Sequence, residues 1–103
     1  MKLRYYKVIV SERAADMLVK HAAFLAQVNV TAARRLVAEF EIKAMTLETL
    51  PERYPRLLHP LITKNKYRKL LFEKRYLLVY QIKKNTVYID AVVDCRQDYS
   101  WLL

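Results

Sequence analysis

The sequence contains no glycine, one cysteine and three prolines among 103 residues. Without glycine, the chain cannot form the glycine-rich loop that brings backbone N–H groups close to phosphates, so P-loop and Rossmann nucleotide binding are excluded. Cys95 is the single cysteine, which excludes an internal disulfide. His21 and His59 are the only histidines, and they do not complete a spaced set of metal ligands. We therefore expect neither a bound metal nor a cofactor.

Long apolar runs are also missing. No stretch approaches the roughly 20 apolar residues that a membrane-spanning helix needs, and the apolar run at residues 8–10 is too short for the core of a signal peptide. The sequence therefore predicts a cytoplasmic protein without a membrane partner. It also predicts one domain, residues 1–103, because a second core would leave each half too small to be stable.

Acidic residues are too few to balance the basic ones. The chain has 19 Lys and Arg against 10 Asp and Glu, a net charge of +9, and most of the excess lies in residues 52–103. Such a charge attracts polyanions, although solubility alone is also a sufficient reason for it. We predict an RNA-binding surface around the second strand, with protection of an edge strand by lysine as the alternative. Its residues are Lys64, Lys66, Lys69, Lys74 and Arg75.

The first half of the chain predicts a strand followed by two helices. Residues 5–10 are aromatic and β-branched, which is typical of a strand. Ser11 can cap a first amphipathic helix that runs to about residue 28, and Thr31 can cap a second that ends near residue 50. The three prolines then fall within residues 51–66, which we expect to form an ordered loop.

The second half predicts three antiparallel strands at residues 67–72, 76–82 and 86–93. The middle one is apolar on both faces and is therefore central, whereas the last alternates and places its apolar residues on one face. Asn85 is the expected left-handed residue in the second turn. The predicted fold class is α+β, in the order β-α-α-β-β-β, with a helical hairpin on one face of a small, mainly antiparallel sheet. The apolar residues of the last strand are Val87, Ile89, Ala91 and Val93.

Arg68, Arg96 and Tyr99 are the candidate catalytic residues. We expect the uncovered face of the sheet to be concave and polar, and these side chains to converge on it. Arginine can clamp a phosphate and stabilise charge developing on it, and tyrosine can transfer a proton, a combination that suits RNA cleavage without a metal. The alternatives are arginines paired with nearby aspartates and a tyrosine in an aromatic tail packed over the sheet edge. Those aspartates are Asp90, Asp94 and Asp98.

Four segments in a fixed order carry a family resemblance. LPERYP (50–55), YRKLL (67–71), RYLLVY (75–80) and VDCRQDY (93–99) follow the strand and the helical hairpin. Over nearly its whole length, the chain resembles the RelE/ParE superfamily, the toxins of bacterial type II toxin–antitoxin (plasmid stabilisation) systems. The resemblance implies a cognate antitoxin whose C-terminal segment wraps and blocks the toxin.

The superfamily has two branches, and the resemblance extends to both. One branch cuts mRNA in the ribosomal A site without a metal, and Arg68, Arg96 and Tyr99 resemble its basic residue on strand 2 and its C-terminal arginine and tyrosine. Where such nucleases often have an arginine and a histidine, this chain has Leu77 and Asp98. The other branch inhibits DNA gyrase without cutting nucleic acid, and the proline turn and the pattern of strands 2 and 3 resemble this branch at least as much. Our first hypothesis is a ribosome-dependent mRNA endoribonuclease, the second a gyrase inhibitor, and the third a non-toxic basic RNA-binding module.

Overall fold

The computed structural model describes residues 4–60 and 62–96, and its elements follow the predicted order. A 3-10 turn, Pro51–Arg53, follows the second helix. The α+β fold class is confirmed, and within this part of the chain no helix is long and apolar enough to cross a membrane. The elements are β1 (Lys7–Val10), α1 (Glu12–Ala26), α2 (Val30–Thr46), β2 (Arg68–Phe72), β3 (Tyr76–Lys83) and β4 (Thr86–Asp94).

Side-chain caps begin both helices. Ser11 caps α1 as predicted, because its Oγ accepts a hydrogen bond from the backbone N of Ala14 at 3.0 Å. The cap of α2 is Asn29, whose Oδ1 accepts from the backbone N of Ala32 at 3.0 Å, so the prediction of Thr31 was wrong. Asparagine is the stronger cap, and it starts α2 two residues earlier. The two helices form a hairpin that packs on one face of the sheet.

The sheet has the strand order β1-β4-β3-β2. β1 runs parallel to β4, and the other two pairs are antiparallel, so the first and last strands of the fold are neighbours. The helical hairpin follows β1 in the chain and covers the face of the sheet that carries the main core. Its largest buried members come from both layers and include Leu36, Phe40, Leu78, Tyr80 and Ile89.

A β-bulge in β4 decides which face each of its residues joins. Val79 pairs with Ala91 and Tyr80 pairs with Ile89, so Asp90 is the extra residue between them. One extra residue reverses the alternation, because successive side chains point to opposite faces. Ile89 packs towards the helices, whereas Ala91 and Val93 join a second cluster on the other face. The prediction that the apolar residues of the last strand share one face was therefore wrong for Ala91 and Val93.

The face opposite the helices is apolar, which corrects the expectation of a concave polar face. Backbone N–H groups of Leu57 and Lys69 donate to the carbonyls of Tyr67 and Pro55, at 2.9 and 3.0 Å, and hold the proline-containing segment beside β2. Side chains from that segment then cover the sheet, because they can bury apolar surface there. The second cluster consists of Leu57, Ile62, Tyr67, Leu77, Val79, Ala91 and Val93.

Because the chain has no glycine, other residues adopt positive φ in its turns. In the β3–β4 turn the left-handed residue is Lys84, with φ 57°. The prediction of Asn85 at this position was therefore wrong. The carbonyl of Asn85 instead accepts a hydrogen bond from the N–H of Lys7 at 3.0 Å, which ties the turn to β1. In all, the described residues with positive φ are Leu50, Asn65, Glu73, Lys74 and Lys84.

Candidate functional site

Arg68 holds the 3-10 turn against the sheet. It begins β2, opposite Tyr80 on β3, and its Nη1 donates to the carbonyls of Tyr54 at 2.7 Å and Glu52 at 3.0 Å. The buried hydroxyl of Tyr80 donates to the carbonyl of Pro51 at 2.5 Å. Two side chains from neighbouring strands thus satisfy three carbonyls of one turn, which fixes the turn and the arginine together.

The hydroxyl of Tyr80 does not ionise at ordinary pH. Burial raises the pKa of its hydroxyl well above the usual value of 10.0, and the nearby positive charge of Arg68 only partly opposes this effect. The hydroxyl therefore stays protonated and acts as a hydrogen-bond donor to Pro51.

A small polar cavity of about 350 Å³ lies beside Arg68, and we call it the turn cleft. Two exposed cations, Arg56 and Lys66, line it together with Arg68, and one carboxylate, Glu52, stands among them. The cleft is basic on balance and is suited to an anionic group. Its lining residues are Glu52, Arg56, Asn65, Lys66, Arg68 and Ile82.

Arg96 is held by a carboxylate. It follows β4, and its Nη2 and Nε donate to the two carboxylate oxygens of Asp94 at 2.7 and 3.1 Å. The hydrogen bond from Arg96 lowers the pKa of Asp94 from 3.8 to about 2, although the burial of the carboxyl acts in the opposite direction. The ion pair between an arginine and an aspartate, the alternative that the sequence offered for Arg96, is thus present in the structure.

A larger cavity of about 670 Å³ surrounds this ion pair, and we call it the strand-end cleft. His21 on α1 closes its floor, because its Nε2 donates to the carbonyl of Val92 at 2.9 Å and its ring meets Tyr76 edge-on at 5.4 Å. His21 therefore has a packing role in the structure. The lining residues are Met17, Lys20, His21, Phe24, Arg75, Tyr76, Asp94 and Arg96.

The structure does not bring Arg68 and Arg96 together. On β3, Tyr80 faces Arg68 and Tyr76 faces Asp94, so Arg68 and Asp94 lie four strand residues apart along β3, roughly 13 Å at the usual rise of a strand. Arg96 follows two residues after Asp94, beyond the end of β4. The two arginines line different cavities. Tyr99, the third predicted catalytic residue, lies outside the described residues, and so does Asp98.

The predicted RNA-binding residues are also divided. Lys64 and Lys66 lie in the segment before β2, whereas Lys74 and Arg75 lie in the turn at its far end. Lys69 pairs with Val79, on the face of the second apolar cluster. The structure therefore distributes these side chains over two ends and two faces of β2.

An apolar groove along the helical hairpin is a feature that the sequence analysis missed. It has a volume of about 650 Å³, and apolar side chains dominate its surface. Val19 and Val30, which line it, are 65% and 54% exposed. The signal was the excess of small apolar residues beyond the core-facing stripe of each helix. Its apolar lining consists of Leu18, Val19, Ala22, Ala23, Ala26, Val30, Ala33, Val37 and Ala38.

Metal-ligating side chains are scattered. Across residues 4–60 and 62–96, no three His, Cys, Asp or Glu side chains lie together as a metal site requires.

Comparison with known proteins gives the family. The profile of the family described as "ParE toxin of type II toxin-antitoxin system, parDE" matches residues 8–99. The chain belongs to the ParE toxin family. Membership confirms the resemblance to the RelE/ParE superfamily and implies a cognate antitoxin as partner.

A solved structure agrees with this membership at the level of the fold. The fold of this ParE toxin is similar to that of a chain from the chromosomal ParDE toxin–antitoxin system of P. aeruginosa, with a TM-score of 0.70 and 14% identity. The alignment covers 88% of this chain and 97% of the other. No curated protein matches the sequence.

Proposed function

We propose that this protein is a growth-inhibiting toxin that binds a protein target, DNA gyrase, and does not cut RNA. The observation that carries the proposal is the separation of Arg68 and Arg96. Each arginine already hydrogen-bonds to acceptors of its own chain, at opposite ends of β3. Membership of the ParE family supports the same branch of the superfamily.

Metal-free cleavage requires several groups around one phosphate. Catalytic donors act at about 3 Å from the atoms on which charge develops, and a misplacement of 1 Å is already costly. Moving Arg68 to the strand-end cleft would break its hydrogen bonds to two carbonyls, and bonds to charged groups are worth about 1.5–3 kcal/mol each. The described residues therefore favour a binding toxin over a nuclease.

Ribosome-dependent mRNA cleavage is the second candidate, and the turn cleft is the observation that favours it. Arg56, Lys66 and Arg68 line one cavity that suits a phosphate. With Arg96 and Tyr99 as the remaining catalytic groups, this proposal needs the two arginines to act at separate points of the bound mRNA.

One preparation of the full chain tests both candidates. We expect inhibition of supercoiling by purified gyrase, and intact message when the 5′ ends of a reporter mRNA are mapped in a reconstituted translation system. Codon-phased cuts that disappear with Tyr99→Phe or Arg96→Ala would instead establish the nuclease. If neither activity appears and induced expression is harmless, the non-toxic RNA-binding module replaces both.

The hairpin groove is our proposed docking site for the antitoxin. An apolar groove between two helices, lined by alanines that allow close approach, fits an amphipathic helix laid along it. Arg34 and Glu41 border the groove and offer a charge of each sign to orient that helix. A contiguous apolar surface of this kind is typical of a protein contact.

A further inference from the structure

The strand-end cleft holds more positive charge than its own residues neutralise. Lys20, Arg75 and Arg96 line it, and Asp94 is the one carboxylate among the lining residues. Arg96 pairs closely with Asp94 at 2.7 Å, and Arg75 also acts electrostatically on this carboxylate, so three cations share one carboxylate and the lining keeps a net positive charge. Among the residues that the structure describes, no ion pair forms with the side chain of Lys20 or Arg75.

Apolar side chains form the walls around these two cations. Phe24 is 72% exposed at the rim, next to Met17. Tyr76 is only 6% exposed, since the guanidinium of Arg75 lies 5.8 Å from its ring centre and His21 meets its edge. The cleft thus combines an excess of positive charge with the accessible surface of Phe24.

This combination fits an acidic polypeptide better than a nucleic acid. Single-stranded nucleic acid binds where aromatic faces stack successive bases along a basic groove, and here Phe24 is the one accessible ring of the lining. A glutamate or aspartate beside an apolar residue matches both the cations and Phe24.

The strand-end cleft and the hairpin groove are lined by neighbouring faces of α1. Lys20 and Phe24 face the cleft, whereas Val19 and Ala23, each one residue earlier, line the groove. One partner chain can therefore occupy the groove with a helix and reach the cleft with a neighbouring segment.

We infer that the strand-end cleft binds an acidic segment of a partner polypeptide, with a carboxylate between Lys20 and Arg75 and an adjacent apolar side chain against Phe24. The inference rests on the proposed function for the identity of that partner, the cognate antitoxin. It gives the antitoxin a second contact, distinct from the hairpin groove.

The test uses the full chain and a short labelled peptide in which glutamate and leucine alternate. A matched peptide carries glutamine in place of glutamate, and fluorescence anisotropy gives both affinities. We expect the glutamate peptide to bind roughly tenfold more tightly, and the double variant Lys20→Gln, Arg75→Gln to remove that preference, because charged hydrogen bonds are lost. Phe24→Ser should weaken both peptides.

Lys83→Gln is the matched control. Like Arg75, Lys83 is exposed and stacks on a tyrosine, with its Nζ 5.9 Å from the ring centre of Tyr88, but it lies at the other end of β3. It should leave both affinities unchanged. If Arg75→Gln alters folding, as judged by thermal denaturation, Lys20→Gln alone carries the test.

Two results would overturn the inference. One is equal affinity for the glutamate and glutamine peptides. The other is tight binding of a labelled oligouridylate that depends on Lys20 and Arg75 while the peptides do not bind, which assigns the cleft to nucleic acid. Growth arrest by the wild-type chain is measured separately. If no growth arrest occurs, the proposed function is refuted, whereas the peptide affinities still test the inference about the cleft.

Discussion

At the residue scale, Arg68 and Arg96 differ in the acceptors that hold them. Arg68 donates to backbone carbonyls, which carry no net charge and do not titrate. Arg96 donates to the carboxylate of Asp94, which is lost on protonation. The two arginines therefore stabilise the fold with different dependence on pH.

Replacement of Arg68 should destabilise the protein. Arg68→Ala leaves the carbonyls of Glu52 and Tyr54 without their charged donor, and we expect the free energy of unfolding to fall by about 3 kcal/mol, measured by urea denaturation. Arg56→Ala is the control, because Arg56 is exposed and should change stability by less than about 0.5 kcal/mol. Equal stability of the two variants would show that Arg68 does not stabilise the fold, and would leave binding or catalysis as its role.

The pair of Asp94 and Arg96 should add stability only above acidic pH. The pKa of Asp94 is lowered from 3.8 to about 2 in the folded state, so the unfolded chain takes up this proton first as the pH falls. The stabilisation is therefore fully present above about pH 4 and lost as the pH falls towards 2.

Thermal denaturation across pH measures this effect. Asp94→Asn should lower the melting temperature by a few degrees at neutral pH, and the difference from wild type should vanish near pH 2, the folded-state pKa. Asp16→Asn removes the same charge from an exposed helix position and controls for net charge. A difference that persists unchanged to pH 2 would contradict the assignment.

At the scale of the elements, the lack of glycine forces other residues into left-handed conformations, and Leu50 is one of them. Leu50, between α2 and the 3-10 turn, adopts φ 49° and ψ 51° and is 61% exposed. A left-handed conformation costs a β-carbon-bearing residue roughly 1–2 kcal/mol. The chain tolerates this strain because Tyr80 and Arg68 fix the turn that follows.

Leu50→Gly should therefore stabilise the protein. The substitution removes the left-handed penalty, and the greater freedom of glycine in the unfolded chain offsets about 0.4–1 kcal/mol of the gain. We expect a net increase of up to about 1 kcal/mol in the free energy of unfolding by urea denaturation. Leu58→Gly, at another exposed leucine without positive φ, should instead be neutral or destabilising. A loss of stability in both variants would refute strain at Leu50.

At the scale of the whole molecule, the protein presents three surfaces that could bind a partner. The hairpin groove is apolar, whereas the turn cleft and the strand-end cleft are basic. The net charge of +9 favours an acidic partner for such a surface. An antitoxin that covers the groove and the strand-end cleft would leave the turn cleft, at the opposite end of β3, uncovered.

A charge in the hairpin groove should prevent neutralisation by the antitoxin. Val19→Lys places an ammonium group where a partner helix would bury apolar surface, and we expect at least about a tenfold loss of affinity for the cognate antitoxin, measured by calorimetry. Val28→Lys is the control, since Val28 is 85% exposed and lies outside the groove. If both variants bind the antitoxin with equal affinity, the antitoxin binds another face of the toxin.

The sequence by itself determined the order of the elements and the family. Periodicity locates helices and strands because it reflects which side of each element is buried, and Ser11 and the proline turn mark boundaries through local backbone chemistry. The alternation predicted for β4 is interrupted at Asp90 by a bulge. A bulge depends on pairing with the neighbouring strand, and the local sequence carries no information about that pairing. That single residue moved Ala91 and Val93 to the other face.

The tertiary structure alone decided the candidate site. Arg68 and Arg96 were identifiable as functional candidates by residue type, but the distance between them is set by the register of β2 and β4 on β3. The cover over the second face depends on how the proline-containing segment returns to β2, through the contacts of Leu57. Local sequence encodes conformation and burial over a few residues, whereas the convergence of side chains depends on strand registers that only the assembled sheet fixes.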